Sequence, residues 1–236
     1  AVAEGQRKFM GTLQNTYAFF VLYANIDEFD PKAHPLERAQ LSLMDRWLLS
    51  RLHSLIRTVD EGLSQYRVTE SSRAIAAFVD ELSNWYVRRC RERFWGKGMA
   101  GDKEAAFATL YHVLATLSRL LAPFTPFLAE SIYRNLVCHP YPDAPISVHL
   151  SDFPACDETR IDPALEENMR ALIEVVQLGR ACRSAANMKT RQPAAALYVK
   201  GAAFPEDFAA LAREELNVKD VRFVADAREF TTYTLK

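Results

Sequence analysis

The chain has 236 residues, enough for one large domain or two small ones with a real buried core. Its 49% hydrophobic and 25% charged residues are ordinary globular values, and no run of 18 apolar residues exists to span a membrane as a helix. With 29 Lys and Arg against 30 Asp and Glu, the formal net charge is −1, so any basic surface is a local feature aimed at one anionic partner, not general polyanion stickiness.

The first residues, Ala1 to Lys8, contain no signal-peptide core and no initiator methionine, which reads as a piece of a longer protein. Phe9, Leu13, Thr16, Tyr17, Phe20 and Val21 then recur at helical spacing and predict a first helix that ends before Asp30-Pro31. A connector from Asp27 to Gln40 carries Pro31 and Pro35. A second helix is expected from about Ser42 to Tyr66, with Leu48, Leu52, Leu55, Ile56, Val59 and Leu63 inward. Ser42 followed by Asp45 reads as a capping box at its start.

The third helix, about Val68 to Trp95, ends in the most informative stretch of the chain. Asn84 to Trp95 holds four arginines and four aromatics and runs into Gly96-Lys97-Gly98, a helix stop. At 3.6 residues per turn Ile75, Phe78, Val79, Leu82 and Tyr86 form an apolar stripe that Arg89 and Arg93 continue. These two arginines are therefore assigned to structural ion pairs, because an unpaired buried guanidinium costs several kcal/mol. Asn84, Arg88, Arg91 and Trp95 fall on the opposite side, where charge meets phosphate and an indole stacks on a base. The alternative for the cluster is a solvated helix face with internal ion pairs.

Asp102 to Leu121 reads as a fourth helix with Phe107, Leu110, Tyr111, Leu114, Leu117 and Leu121 inward. Ala122 to Phe127 breaks it, and Thr125 as N-cap with Pro126 at the first helical position predicts a fifth helix to Val137. A proline-rich connector from His139 to Pro163 leads to a sixth helix, opened by Pro163, with Leu165, Met169, Leu172, Ile173 and Val176 inward, ending near Asn187. Beyond it, Ala196–Val199 and Val221–Val224 read as strands around a helix from Phe204 to Leu216, and Phe230 to Leu235 as a third strand. The expected fold is thus mainly α, an antiparallel helical bundle followed by a small α/β unit. The expected domains are 1–138 for the bundle, 139–193 for a connector and an additional long helix packing on it, and 194–236 for the start of the α/β unit.

Self-sufficient catalysis is not visible. No P-loop, G-x-G-x-x-G or G-x-S-x-G occurs. Carboxylate pairs such as Asp27-Glu28 and Glu166-Glu167 sit at connector or helix-surface positions, and His112 reads as a helix-packing residue. Four scattered cysteines without a C-x-x-C pair, and five histidines without ligand spacing, point to a reduced, cytoplasmic, metal-free chain.

Several segments, in order along the chain, carry a resemblance. Asn15 to Phe20 and Asp45 to Leu52 are similar to the region that follows the catalytic domain in class I aminoacyl-tRNA synthetases. Leu82 to Arg89 with Arg93-Phe94-Trp95, Leu121 to Glu130, Ser147 to Leu150, Leu178 to Ala181, Arg191-Gln192-Pro193 and Glu214 to Lys219 resemble the isoleucyl branch in particular. Valyl and leucyl relatives share the Asp-Arg-Trp and Ala-Pro-Phe-type signatures, so an anticodon-binding domain of either stays as an alternative. A helical protein-interaction scaffold without RNA binding is another.

The resemblance implies a helical anticodon-binding domain whose partner is the anticodon stem–loop of isoleucine tRNA, with no DNA or membrane partner. ATP and magnesium would belong to the catalytic domain of the parent ligase, and this chain, which lacks the class I active-site signatures, would hold no cofactor and no catalytic residue. With that partner, Arg88, Arg91 and Trp95, outward on the third helix, are assigned to the anticodon face, with Arg46 and Trp47 expected close by. Trp47 is either such a contact or core. Lys189 and Arg191 either touch the tRNA backbone or form a solvated turn.

Overall fold

A computed structural model of the chain describes residues 6–99, 101–226 and 228–230. The chain is mainly helical and divides between Asp162 and Pro163 into two compact units.

In the first unit, helix α1 spans Gly11–Ile26, after a π-helical turn Gln6–Met10. Helix α2 spans Leu43–Ser64 and opens on the capping box: the Ser42 amide donates to the Asp45 carboxylate at 2.9 Å and Ser42 Oγ accepts from the Asp45 amide at 3.3 Å. Only residues 65–67 separate it from α3, Val68–Glu81. That sharp return uses Gly62, since a Cβ there would lie 2.3 Å from Ser71 Oγ. Helix α4 covers Asp102–Leu121, and α5 covers Pro126–Tyr133 and continues as a π-helical turn to Cys138. Thr125 does precede α5, but it is not a side-chain cap: its Oγ1 is buried with no hydrogen-bond partner among the described residues. Pro126 starts the helix instead, by supplying a helical φ and lacking an N–H to satisfy.

The core forms where these helices face one another, with Trp47, Phe78, Tyr86, Phe94, Phe107 and Tyr133 all at most 1% exposed. Phe94 meets Phe107 at 4.9 Å between ring centroids, and Phe107 meets Phe29 at 5.3 Å. The connectors are pinned to this core by polar contacts. His34 Nδ1 lies 2.9 Å from Glu104 Oε1 on α4. The 156–162 segment runs along α2, where the Asp157 amide donates to His53 Nδ1 at 3.1 Å and the Asp162 amide to Ser50 Oγ at 2.8 Å. Cys156 also reaches His53, but its thiol donates to the backbone carbonyl, so these two do not form a nucleophile–base pair.

Burial and the charge of Arg160 lower the His53 imidazole, and burial together with Arg160 and His53 holds His112 on α4 down to about 4. A neutral imidazole buried this way stabilises the fold fully above its unfolded value of about 6.5, and the contribution is lost as pH falls toward the folded value. Urea unfolding is therefore expected to show about 2 kcal/mol less stability near pH 5 than near pH 7, and His112→Gln should remove most of that slope.

In the second unit, helix α6 spans Pro163–Ala185, with Leu165, Met169, Leu172 and Val176 buried and Ile173 only half-buried. Strand β1, Ala194–Lys200, pairs in parallel with β2, Val218–Val224, in a register running from Ala194 opposite Val218 to Lys200 opposite Val224. Helix α7, Glu206–Leu216, connects them, as a parallel pair requires a crossover. The predicted third strand falls on residues 231–235, outside the described ones, and Phe230 ends a short turn and stacks on Tyr198 at 3.9 Å. Gly179 lets α6 approach α7: a Cβ there would sit 2.6 Å from Leu216 Cδ1, in a side chain that is itself 1% exposed. Gly179→Ala is expected to destabilise this unit by about 1–3 kcal/mol, read as faster amide exchange throughout α7.

Candidate nucleic-acid interface

The helix that begins as α3 does not stop at Glu81. It widens into a π-helical turn over Leu82–Val87, passes through Arg88–Cys90, and tightens into a 3-10 turn over Arg91–Phe94. Along this wider turn Trp85, Tyr86 and Val87 are buried in succession. The inward side then continues through Cys90 and Phe94, and the charged groups divide around it.

Arg93 is the inward arginine. Its Nη1 and Nη2 donate to the two carboxylate oxygens of Asp45 at 2.8 and 2.7 Å, while Nε donates to Asp102 at 2.9 Å. Asp45 is wholly buried and also accepts from Ser42 Oγ at 2.7 Å and from the Tyr86 hydroxyl at 2.6 Å. Burial by itself raises the Asp45 carboxyl, but the hydrogen bonds and charge of Arg93 outweigh it and hold it below the usual range. Burial, reinforced by the Asp45 charge, pushes Tyr86 well up. The Cys90 thiol, buried alongside, is pushed up to about 11, chiefly by burial, and is unreactive at neutral pH. This cluster ties the starts of α2 and α4 to the end of α3. Arg89 is half-buried.

Arg88, Arg91 and Trp95 are exposed on the other side. Arg88 Nε donates to the Asn84 carbonyl at 2.8 Å, and its guanidinium lies 5.8 Å from the Trp85 ring centroid. Arg91 lies 5.8 Å from the centroid of Phe19 on α1, whose edge meets Phe94. Trp95 leaves 54% of its surface in solvent. Asp45 and Asp102 neutralise Arg93. The arrangement offers planar cations held by ring faces beside an open indole, which suits unstacked bases and phosphates.

Two further candidates divide. Arg46 is exposed on the first turn of α2. Trp47 is 1% exposed and is a core residue, not a stacking surface. The reason is that α2 is central: from Met44 to Ile56 it is buried nearly all round, so an aromatic one position from an exposed arginine still has no route to solvent. Phe19 was not singled out from the sequence. Its signal was its spacing with Tyr23, an i, i+4 aromatic pair lying off the Leu13–Phe20 stripe. Lys189 and Arg191 are both exposed and belong to a turn of the second unit. Among the described residues no group of three or more His, Cys, Asp or Glu could hold a metal ion, and no helix is long and apolar enough to cross a membrane.

Residues 45–199 match the family described as the anticodon-binding domain of tRNA ligase. The chain is similar over its whole length to proteins named isoleucine–tRNA ligase: 48% identical to that of Deinococcus radiodurans, 46% to that of Clostridium acetobutylicum and 43% to that of Clostridium kluyveri. It spans only 22%, 23% and 23% of those relatives respectively. The chain belongs to the anticodon-binding domain family of tRNA ligases.

Proposed function

We propose that this chain reads the anticodon stem–loop of isoleucine tRNA for an isoleucine–tRNA ligase, while the rest of that cytoplasmic enzyme joins isoleucine to the RNA with ATP and magnesium. The observation that carries the reading is the outward set Arg88, Arg91 and Trp95 at the end of α3, held by ring contacts and set apart from the inward Arg93. Isoleucine is favoured over valine or leucine by the names of the relatives.

In this reading the first unit is an antiparallel bundle that presents one face to the loop. Trp95 stacks on a loop base, and Arg88 and Arg91 engage phosphates or a base edge, with Arg46 as a flanking cation. Loop bases are accessible to such contacts because they are unstacked, whereas the paired stem is held through its backbone.

The test is titration of the chain with isoleucine tRNA and with an anticodon-substituted copy, at about 50 and 200 mM salt. Tighter binding to the natural anticodon, weakening steeply with salt, is the expected result. Equal binding to both RNAs would remove anticodon reading, and binding insensitive to salt would remove phosphate recognition.

A further inference from the structure

The turn that carries Lys189 and Arg191 is built in an unusual way. Four successive carbonyls, from residue 189 to residue 192, are all drawn to one side. Arg183, only 8% exposed, donates through Nη1 to the carbonyls of Lys189 at 3.1 Å and Gln192 at 2.8 Å, and through Nη2 to that of Asn217 at 3.1 Å. The Asn217 side-chain amide donates to the carbonyls of Arg191 at 2.9 Å and Thr190 at 3.4 Å. Asn217 reaches back because it closes α7 in the left-handed region, with φ 49° and ψ 53°. A buried guanidinium and a helix-capping amide therefore hold a surface turn whose own residues are all exposed.

The direction of those carbonyls decides where the amides go. No peptide bond here is cis, and in a trans peptide the N–H points opposite to the carbonyl of the preceding residue. With the Lys189 and Thr190 carbonyls turned inward, the N–H groups of Thr190 and Arg191 face outward. Among the described residues neither meets an acceptor. The same exposed residues, Lys189, Thr190 and Arg191, bring an ammonium, a hydroxyl and a guanidinium to this turn. Consecutive outward N–H groups flanked by cations form an oxyanion site that needs no helix dipole.

We propose that the Lys189–Gln192 turn is a phosphate-binding site, with the amides of Thr190 and Arg191 as its centre and Asn217 as the residue that positions it. The RNA reading above supplies the identity of the ligand, a backbone phosphodiester, whereas the anion site follows from the turn itself. Because Arg183 and Asn217 fix the turn before any ligand arrives, little ordering is needed on binding.

Amide resonances of the whole ¹⁵N-labelled chain, titrated separately with inorganic phosphate and with an anticodon stem–loop RNA, test this. The expected result is saturable movement of the Thr190 and Arg191 amides with both probes. Asn217→Gly keeps the left-handed backbone but removes the side-chain amide, and should weaken the response of these two resonances about tenfold while α6 and α7 signals stay in place. Phosphate moving them while RNA does not would leave the anion site standing and remove the phosphodiester assignment. RNA moving only the Arg88–Trp95 resonances, with no response of the turn to either probe, would overturn the site and leave the RNA reading intact. An unchanged response in Asn217→Gly would remove the positioning role.

Discussion

Arg93→Ala is expected to destabilise the first unit by about 3–5 kcal/mol, with a fall in Tm on the order of 10 °C. The size comes from what is left behind, not from the bond removed. Asp45 is wholly buried, and its carboxylate is held ionised by a bidentate guanidinium with help from Tyr86 and Ser42. Without Arg93 the charge has no counter-ion, and the fold must bury it unpaired or take up a proton. Tyr86→Phe removes one hydrogen bond to a charged group and should cost about 1.5–3 kcal/mol.

Replacing both partners, Asp45→Asn with Arg93→Met, should cost less than the sum of the two single changes, because no buried charge then remains. The pH dependence has a definite sign. The Asp45 carboxyl is depressed in the fold, so its contribution is present above the unfolded carboxylate value, about 3.9, and is lost as pH falls below that through the folded value. Urea unfolding across that range, with and without Asp45→Asn, checks it. Equal acid sensitivity in both proteins would place the acid response elsewhere.

Joint replacement of Arg91 and Trp95 by alanine is expected to weaken binding of the anticodon stem–loop by a hundredfold or more, on the order of 3 kcal/mol, while Tm stays within about 1 °C. Neither side chain contributes to the core: Trp95 is half in solvent, and Arg91 rests on Phe19 from outside. The two single variants should separate in their salt response. Arg91→Ala removes a cation and is expected to reduce the slope of log K against log salt by about one, whereas Trp95→Ala removes a stacking surface and should leave the slope unchanged. A lowered Tm with unaltered RNA affinity would return this face to an ordinary solvated helix side.

Much of this organisation is written locally. The Ser42–Asp45 box, Pro126, Pro163 and the glycine stop after Trp95 mark helix boundaries, because each acts within a single turn of backbone. The separation of Arg93 from Arg88, Arg91 and Trp95 was equally legible, since 3.6-residue periodicity assigns a face before any partner is known.

What could not be read depends on residues far apart in the chain. Trp47 looked like a neighbour of exposed Arg46, and it is buried because other elements cover α2 almost all round. The π-helical turn at Leu82–Val87, where Trp85, Tyr86 and Val87 are buried, is announced by no periodicity. Phe19 lies under Arg91 across 72 positions of sequence. The outward amides at Thr190 and Arg191 depend on a guanidinium and an asparagine that each look unremarkable in the chain. By itself the sequence determined where helices start, which face of each is apolar, and to which family the chain belongs, since these rest on neighbours a turn apart or on recurring motifs. Only the tertiary structure decided which exposed-looking groups are buried and which ordinary turn is held rigid, because burial and backbone direction are set by whatever packs from a distant part of the chain.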